Sequence, residues 1–314
     1  MKVKAIIVSI KGLKLSRKEK LLLAKEKPWG LILFQRNIKS EYQIKSLINN
    51  IKEITKNKKF PILIDEEGTK VSRLKNILQN DFNANFFGKL YELDKKFAFN
   101  LYKNYLKSLC MSLRNIGINI NTIPVLDVLR KNTNQIIGKR SFSEKKNIVK
   151  KFGEITIKEC HSQKIINVIK HIPGHGCSKV DSHLSMPKVN FKEGNLNKID
   201  FYPFKYSSAK LAMTAHILYS KIDAKNVSTF SNKIINGIIR KKIGFKGILI
   251  SDDISMKALK YDLVTNAKKS LSAGCNLVLY CAGNIKDNFK LIKNIPYIDK
   301  FTSKKTSEIY KILR

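Results

Sequence analysis

Eight short apolar runs rich in β-branched residues recur along the chain. They lie at 3–9 (VKAIIVS), 29–34 (WGLILF), 60–65 (FPILID), 118–127 (INI…PVLD), 165–171 (IINVIKH), 211–217 (LAMTAHI), 247–252 (GILISD) and 275–281 (CNLVLYC). Each is continuous rather than alternating, the pattern of a parallel strand covered on both faces. Amphipathic stretches at 40–56, 87–115, 144–163 and 231–241 fall between them and predict helices. Eight strand–helix units in sequence predict an α/β fold, a closed (β/α)8 barrel of the TIM type. A doubly wound open sheet is the alternative; it would place a glycine-rich turn after an early strand, and no G-x-G-x-x-G occurs. No Pro/Gly/Ser-rich linker divides the chain, so residues 1–314 are expected to form a single catalytic barrel domain.

In a barrel of this kind the chemistry collects where strands end at their C-terminal edge. Those edges carry Asp65, Asp127, Lys170 with His171, His216, and Asp252 with Asp253. Four of the five histidines, His171, His175, His183 and His216, fall in or just after the fifth and sixth runs. Core burial alone would not place them so consistently.

Composition narrows the partners. The formal net charge is +37, but only eight of the 61 basic residues are Arg, and the lysines are spread along the whole chain. A nucleic-acid surface would concentrate Arg and aromatic residues in one stretch, so the excess reads as a lysine-rich solvated surface and no specific nucleic-acid partner is expected. The charge would still speed the capture of acidic ligands. The cysteine count of five is odd and no C-x-x-C occurs, which suits free thiols in a reducing, cytoplasmic compartment. The N-terminal apolar stretch of six residues is too short for a signal-peptide core, and nothing later approaches a membrane span, so no membrane partner is expected.

Three constellations carry candidate chemistry. In K-H-I-P-G-H-G-C-S-K-V-D-S-H (170–183), Pro173, Gly174 and Gly176 break the strand and open a loop. Asp181 and His183 stand two positions apart on it, so in an extended segment the carboxylate can orient the imidazole as a general acid/base. A surface loop with an incidental Asp-Ser-His is the plainer alternative. A metal site built from His171, His175, Asp181 and His183 has the right residue types but no short ligand spacing, so no metal is expected. In I-L-I-S-D-D-I-S-M (248–256) adjacent side chains point opposite ways, so one Asp can face the barrel mouth as a nucleophile while the other caps a helix expected to start near Ser255. Asp65 with Arg73 eight residues on could bind sugar hydroxyls or simply form an ion pair stapling the loop, and Arg140 in I-I-G-K-R-S-F reads similarly. Asp127 reads as structural.

Taken together and in order, these segments resemble the family 3 glycoside hydrolases, specifically the bacterial β-N-acetylglucosaminidases of cell-wall recycling. The motifs are I-D-E-E-G (64–68), P-V-L-D-V (124–128), I-G-K-R-S-F (137–142), K-H-I-P-G-H-G…D-S-H (170–183), M-T-A-H-I (213–217), G-F-K-G (244–247) and S-D-D-I-S-M (251–256). The resemblance spans about Ile6 to Ala282. It implies a retaining exo-acting enzyme with Asp252 as nucleophile and His183, oriented by Asp181, as acid/base. Asp65, Arg73, Arg140, Lys170 and His171 would hold the N-acetylglucosamine ring. The implied substrates are N-acetylglucosamine-containing muropeptides or disaccharides, with no cofactor and a monomeric enzyme. A glycosidase or phosphorylase for another β-linked sugar is the alternative on the same site; a metal-dependent hydrolase and a basic nucleic-acid-binding protein are remoter ones. The chain departs from the family pattern at Thr69, Lys70, Lys139, Ile172 and Cys177, all on loops or beside assigned residues rather than at them.

Overall fold

The computed structural model describes residues 2–131, 133–180 and 185–313. Eight parallel strands close a barrel: β1 (Lys4–Val8), β2 (Pro28–Leu33), β3 (Ile62–Ile64), β4 (Ile120–Asn121), β5 (Ile166–Ile172), β7 (Leu211–Thr214), β9 (Ile248–Asp253) and β10 (Leu277–Leu279). They neighbour one another in that order, and β10 returns to pair with β1 through Ile6–Val278 and Ile7–Leu279. A separate parallel pair, β6 (Lys188–Val189) and β8 (Leu218–Tyr219), lies off the barrel. The barrel is the fold expected from the continuous apolar runs. Every residue of β2, β3, β5, β7 and β10 is buried, because side chains on one strand face pack inside the barrel and those on the other meet the helices.

The helices are α1 (Arg17–Leu21), α2 (Glu41–Ile54), α3 (Ala84–Leu93), α4 (Lys95–Asn115), α5 (Lys146–Ser162), α6 (Glu193–Lys198), α7 (Leu263–Ala273), α8 (Ile285–Asn294) and α9 (Lys300–Ile312). The stretch expected as one helix at 87–115 is two. Asp94 closes α3 with extended backbone (φ −143°) and its carboxylate accepts the Phe97 amide as the N-cap of α4. The helix expected at 231–241 is present at Lys233–Lys242 but is wound with wider, π-type turns. The fourth run forms continuous ladder only at Ile120–Asn121; it is interrupted towards Pro124, which offers no amide, and rejoins β5 through an isolated Val125–Lys170 bridge. Helix α9 is locked to β2 by a buried bond from the indole of Trp29 to Thr306 Oγ1, 2.8 Å.

Two glycines set the path leaving β5. Gly174 has φ +139°, and a Cβ on Gly176 would lie 1.8 Å from the carbonyl oxygen of Val128. Gly176→Ala must therefore push the post-β5 loop away from the post-β4 loop. We expect it to lower stability by about 1–3 kcal/mol, as overpacking does. Urea denaturation measures this, and an unchanged midpoint would show that the loop is not held here.

Candidate active site

The C-terminal ends of the strands surround a cleft of ≈330 Å³. Its walls include Asp65 and Glu67 after β3, Arg73 and Arg140 from loops, Lys170 and His171 on β5, and Asp252 and Asp253 on β9. Six of the residues singled out from the sequence therefore meet in one cavity: Asp65, Arg73, Arg140, Lys170, His171 and Asp252. Asp181 and His183 lie outside the described residues.

The floor is a chain of alternating charges. Arg73 pairs with Asp65 at 3.2 Å, and Asp65 with Lys170 at 3.3 Å. Lys170 reaches Glu67 at 2.5 Å, and Glu67 accepts a forked bond from Arg140 at 2.7 and 2.9 Å. Between Asp65 and Lys170 stands the hydroxyl of Thr122, which donates to Asp65 and accepts from Lys170 Nζ at 2.7 Å. Burial works against both carboxylates, but the facing cations outweigh it. Lys170, Arg73 and Thr122 hold Asp65 well below the usual carboxylate range. Arg140 and Lys170 hold Glu67 down to about 2. The same pairing overcomes the burial of Arg140 and raises its pKa. Asp65 and Glu67 thus keep their negative charge at neutral pH, and with the three facing basic side chains they form an array suited to paired hydroxyls of a sugar ring.

Glu67 carries the centre of this array, and the sequence reading assigned it nothing. Its signal was the spacing in Asp65-Glu66-Glu67. Extended residues two apart share a side, so Asp65 and Glu67 face the cleft while Glu66 turns into the protein. There Glu66 accepts from Ser72 Oγ, the Arg73 and Leu74 amides and Asn80 Nδ2, at 2.8–3.1 Å, anchoring the loop that delivers Arg73. Asn121 of β4 grips the Glu66 backbone at both its amide and its carbonyl.

His171 is oriented by Asp127. The fully buried Asp127 carboxylate accepts the His171 ring Nδ1–H at 2.7 Å and the amides of His171 and His175 at 3.2 and 2.6 Å. Burial raises the Asp127 pKa, yet its histidine partners reverse the effect and bring it below the ordinary value. With Nδ1 donating, the ring's remaining polar atom is Nε2. Asp127 is structural as the sequence suggested, and what it holds is a wall of the cleft. His175, between its two glycines, packs edge-on against the His171 ring at 5.5 Å.

At the end of β9 both aspartates border the cleft, not one. Asp253 caps no helix: α7 starts at Leu263 under its own cap, Asp262. The Asp253 carboxylate instead accepts the Ser255 amide and hydroxyl at 3.1 and 2.7 Å and the Cys281 amide at 3.2 Å, closing a turn. Burial raises its pKa, and the Ser255 bonds only partly offset this. Asp252 Oδ1 accepts the Asp253 amide at 2.8 Å. Behind the pair, the buried His216 contacts the Asp253 carbonyl through Nε2 at 3.1 Å and Thr229 Oγ1 through Nδ1 at 2.7 Å. A carbonyl can only accept, so Nε2 donates to it, and Nδ1 shares a hydrogen bond with the Thr229 hydroxyl. Burial lowers the His216 pKa, with the Asp252 charge acting the other way. His216 is thus a prop under the β9 carboxylates, a role its place in an apolar run did not specify. Of the departures from the family pattern, Ile172 is fully buried and is not among the residues lining the cleft.

A family model described as the glycosyl hydrolase family 3 N-terminal domain matches residues 2–307. The chain belongs to glycosyl hydrolase family 3. It is 30% identical over 306 residues to a beta-hexosaminidase of Actinobacillus succinogenes, covering 94% of this chain and 87% of that protein. It is also 30% identical over 273 residues to beta-hexosaminidase A of Pseudoalteromonas piscicida, but that match covers 80% of this chain and 45% of the longer relative. Among solved structures, NagZ from Neisseria gonorrhoeae in complex with N-trifluoroacetyl-D-glucosamine superposes with a TM-score of 0.88 at 27% identity, over 98% of this chain and 90% of that one. This family 3 chain is a glycoside hydrolase with a (β/α)8 barrel, and no described helix is long and apolar enough to cross a membrane.

Proposed function

We propose that this family 3 enzyme is a retaining exo-β-N-acetylglucosaminidase acting in the cytoplasm, as a monomer, on N-acetylglucosamine-containing muropeptides or disaccharides. The observation that carries the reading is the shared cleft, where the Asp252 side of β9 borders the charged array of Asp65, Arg73, Arg140 and Lys170. A terminal sugar held by that array would turn its anomeric carbon towards Asp252. The names of the beta-hexosaminidase relatives, and the N-trifluoroacetyl-D-glucosamine held by the gonococcal structure, support an N-acetylated sugar there.

In this mechanism Asp252 attacks the anomeric carbon while His183, assigned Asp181 as its orienting carboxylate, protonates the departing oxygen. The bond to the leaving group breaks as the glycosyl–Asp252 ester forms. His183 then removes a proton from water, which displaces Asp252 and completes retention. Asp65, Arg73, Arg140, Lys170 and His171 bind the ring, and Glu67 and Asp127 keep the binding side chains in place.

The test is a hydrolysis panel of aryl β-N-acetylglucosaminide, β-glucoside and β-N-acetylgalactosaminide. Preference for the first is expected; preference for the glucoside would replace the assigned sugar. His183→Ala tests the acid. It should reduce the rate on a poor, alkyl leaving group by on the order of 10²–10⁴-fold and hurt an activated aryl glycoside far less. Equal losses on both would remove His183 from that role.

A further inference from the structure

We propose that the opposite, N-terminal end of the barrel carries an anion-binding pocket, formed by Lys52, Lys58, Lys59, Arg114 and Lys164, that takes a small phosphate-bearing polyanion. An open cavity of ≈270 Å³ lies there between the ends of α2, α4 and α5, with Asn119 as its neutral polar side chain. Among the described residues, five cations and no carboxylate line it. Among the described residues, none of the five makes an ion pair. Two are held by backbone carbonyls alone: Lys52 Nζ donates to Gly117 O at 3.2 Å and Lys59 Nζ to Tyr310 O at 3.1 Å.

Gathering unpaired like charges opposes folding, so their position calls for a compensating charge. Lys52 carries a cost of its own, since burial lowers its pKa. A second observation concerns the backbone. Of the four non-glycine residues with positive φ among the described residues, three are lysines, Lys27, Lys56 and Lys164, at +48°, +50° and +60°. Each sits between a helix and the next barrel strand, which is the N-terminal side of the barrel. Glycine occupies such left-handed helix ends without steric cost. At Lys164, on the pocket rim, a charged side chain stands there instead. The cavity falls just below the usual range for small-molecule pockets, about 300–1,000 Å³, which favours a compact anion such as a diphosphate over a macromolecular polyanion.

The experiment is calorimetric titration of the full chain with inorganic pyrophosphate at physiological ionic strength. Wild type is compared with Lys164→Gly/Arg114→Gln, with Lys58→Gln, and with an equally discharged control on α8, Lys286→Gln/Lys290→Gln. One site per chain is expected. The pocket double variant should lose about tenfold or more in affinity, and Lys58→Gln roughly threefold, as removal of facing charges at short range implies. The α8 control should change by less than about twofold. Lys164→Gly suits the left-handed backbone, so a thermal midpoint at or above wild type separates lost binding from lost folding. Equal losses in pocket and control variants, or several sites per chain, would reduce the effect to diffuse attraction by a +37 chain and overturn the proposal. So would an oligonucleotide that binds dependent on these residues while pyrophosphate does not.

Discussion

Asp252→Asn is expected to reduce turnover of an aryl β-N-acetylglucosaminide by on the order of 10⁵-fold, the scale seen when a covalent nucleophile is removed. An amide has the shape of the carboxylate but cannot supply the charge that attacks the anomeric carbon or leaves as a stable anion in the second step. The loss should appear in kcat, because a group needed only as charge builds in the transition state contributes little to ground-state binding. Asp252 lies on the cleft wall at a strand end and is partly exposed, so the substitution should leave the thermal midpoint nearly unchanged. Mass spectrometry after a 5-fluoro sugar inactivator gives the decisive reading. A label localised to Asp252 by fragmentation of its peptide is expected; a label on Asp253 or elsewhere would transfer the nucleophile's role and undo the mechanism.

The second large effect is one of stability. Glu67→Gln should destabilise the protein by about 3–5 kcal/mol, since Arg140 and Lys170, only 9% and 3% exposed at their side chains, would keep their charges and lose their shared partner. A glutamine can still accept one bond, but it cannot neutralise two buried cations. The pH dependence has a definite sign. Glu67 has its pKa depressed to about 2 in the folded protein, so its contribution is fully present above the ordinary value near 4.5 and fades as pH falls towards 2. That interval corresponds to about 3 kcal/mol, in line with the mutational figure. The gap in stability between wild type and Glu67→Gln should therefore be widest at neutral pH and narrow below about pH 4.5. Denaturant midpoints measured for both proteins across that range check it. No gap at pH 7 would mean that Asp65 alone suffices to hold Lys170, and a gap that stays constant with pH would mean that Glu67 does not contribute through its charge. Activity is informative as well: with Lys170 shared no longer, KM should rise more than kcat falls, since the array binds the ring without taking part in bond breaking.

How much of this was legible beforehand differs between backbone and site. Continuous apolar runs disclose a doubly covered parallel strand whatever its neighbours, and eight of them in regular alternation leave little besides a closed barrel. Breaks inside a helical pattern are harder to see. Asp94 could have been one more polar residue on a 29-residue helix, and only its backbone turn makes it the end of α3 and the cap of α4. The strand-end rule located Asp65, Lys170, His171, His216 and Asp252 from position alone, without saying which would bind and which would brace.

What the sequence determined by itself, then, is the barrel, the rim where its chemistry gathers, and membership of a family whose motifs run in order along the chain. Partnership was decided only in three dimensions. Lys170 stands 105 residues from Asp65 and Arg140 stands 73 from Glu67, so no local pattern could announce that they form one alternating array. The same holds for Asp127, which looked inert at the end of its run until folding set His171 against it. Strand periodicity depends on neighbours one or two residues apart and is written in the chain. Charge pairing depends on distance through space, and barrel closure is what converts remote sequence positions into contacts of about 3 Å.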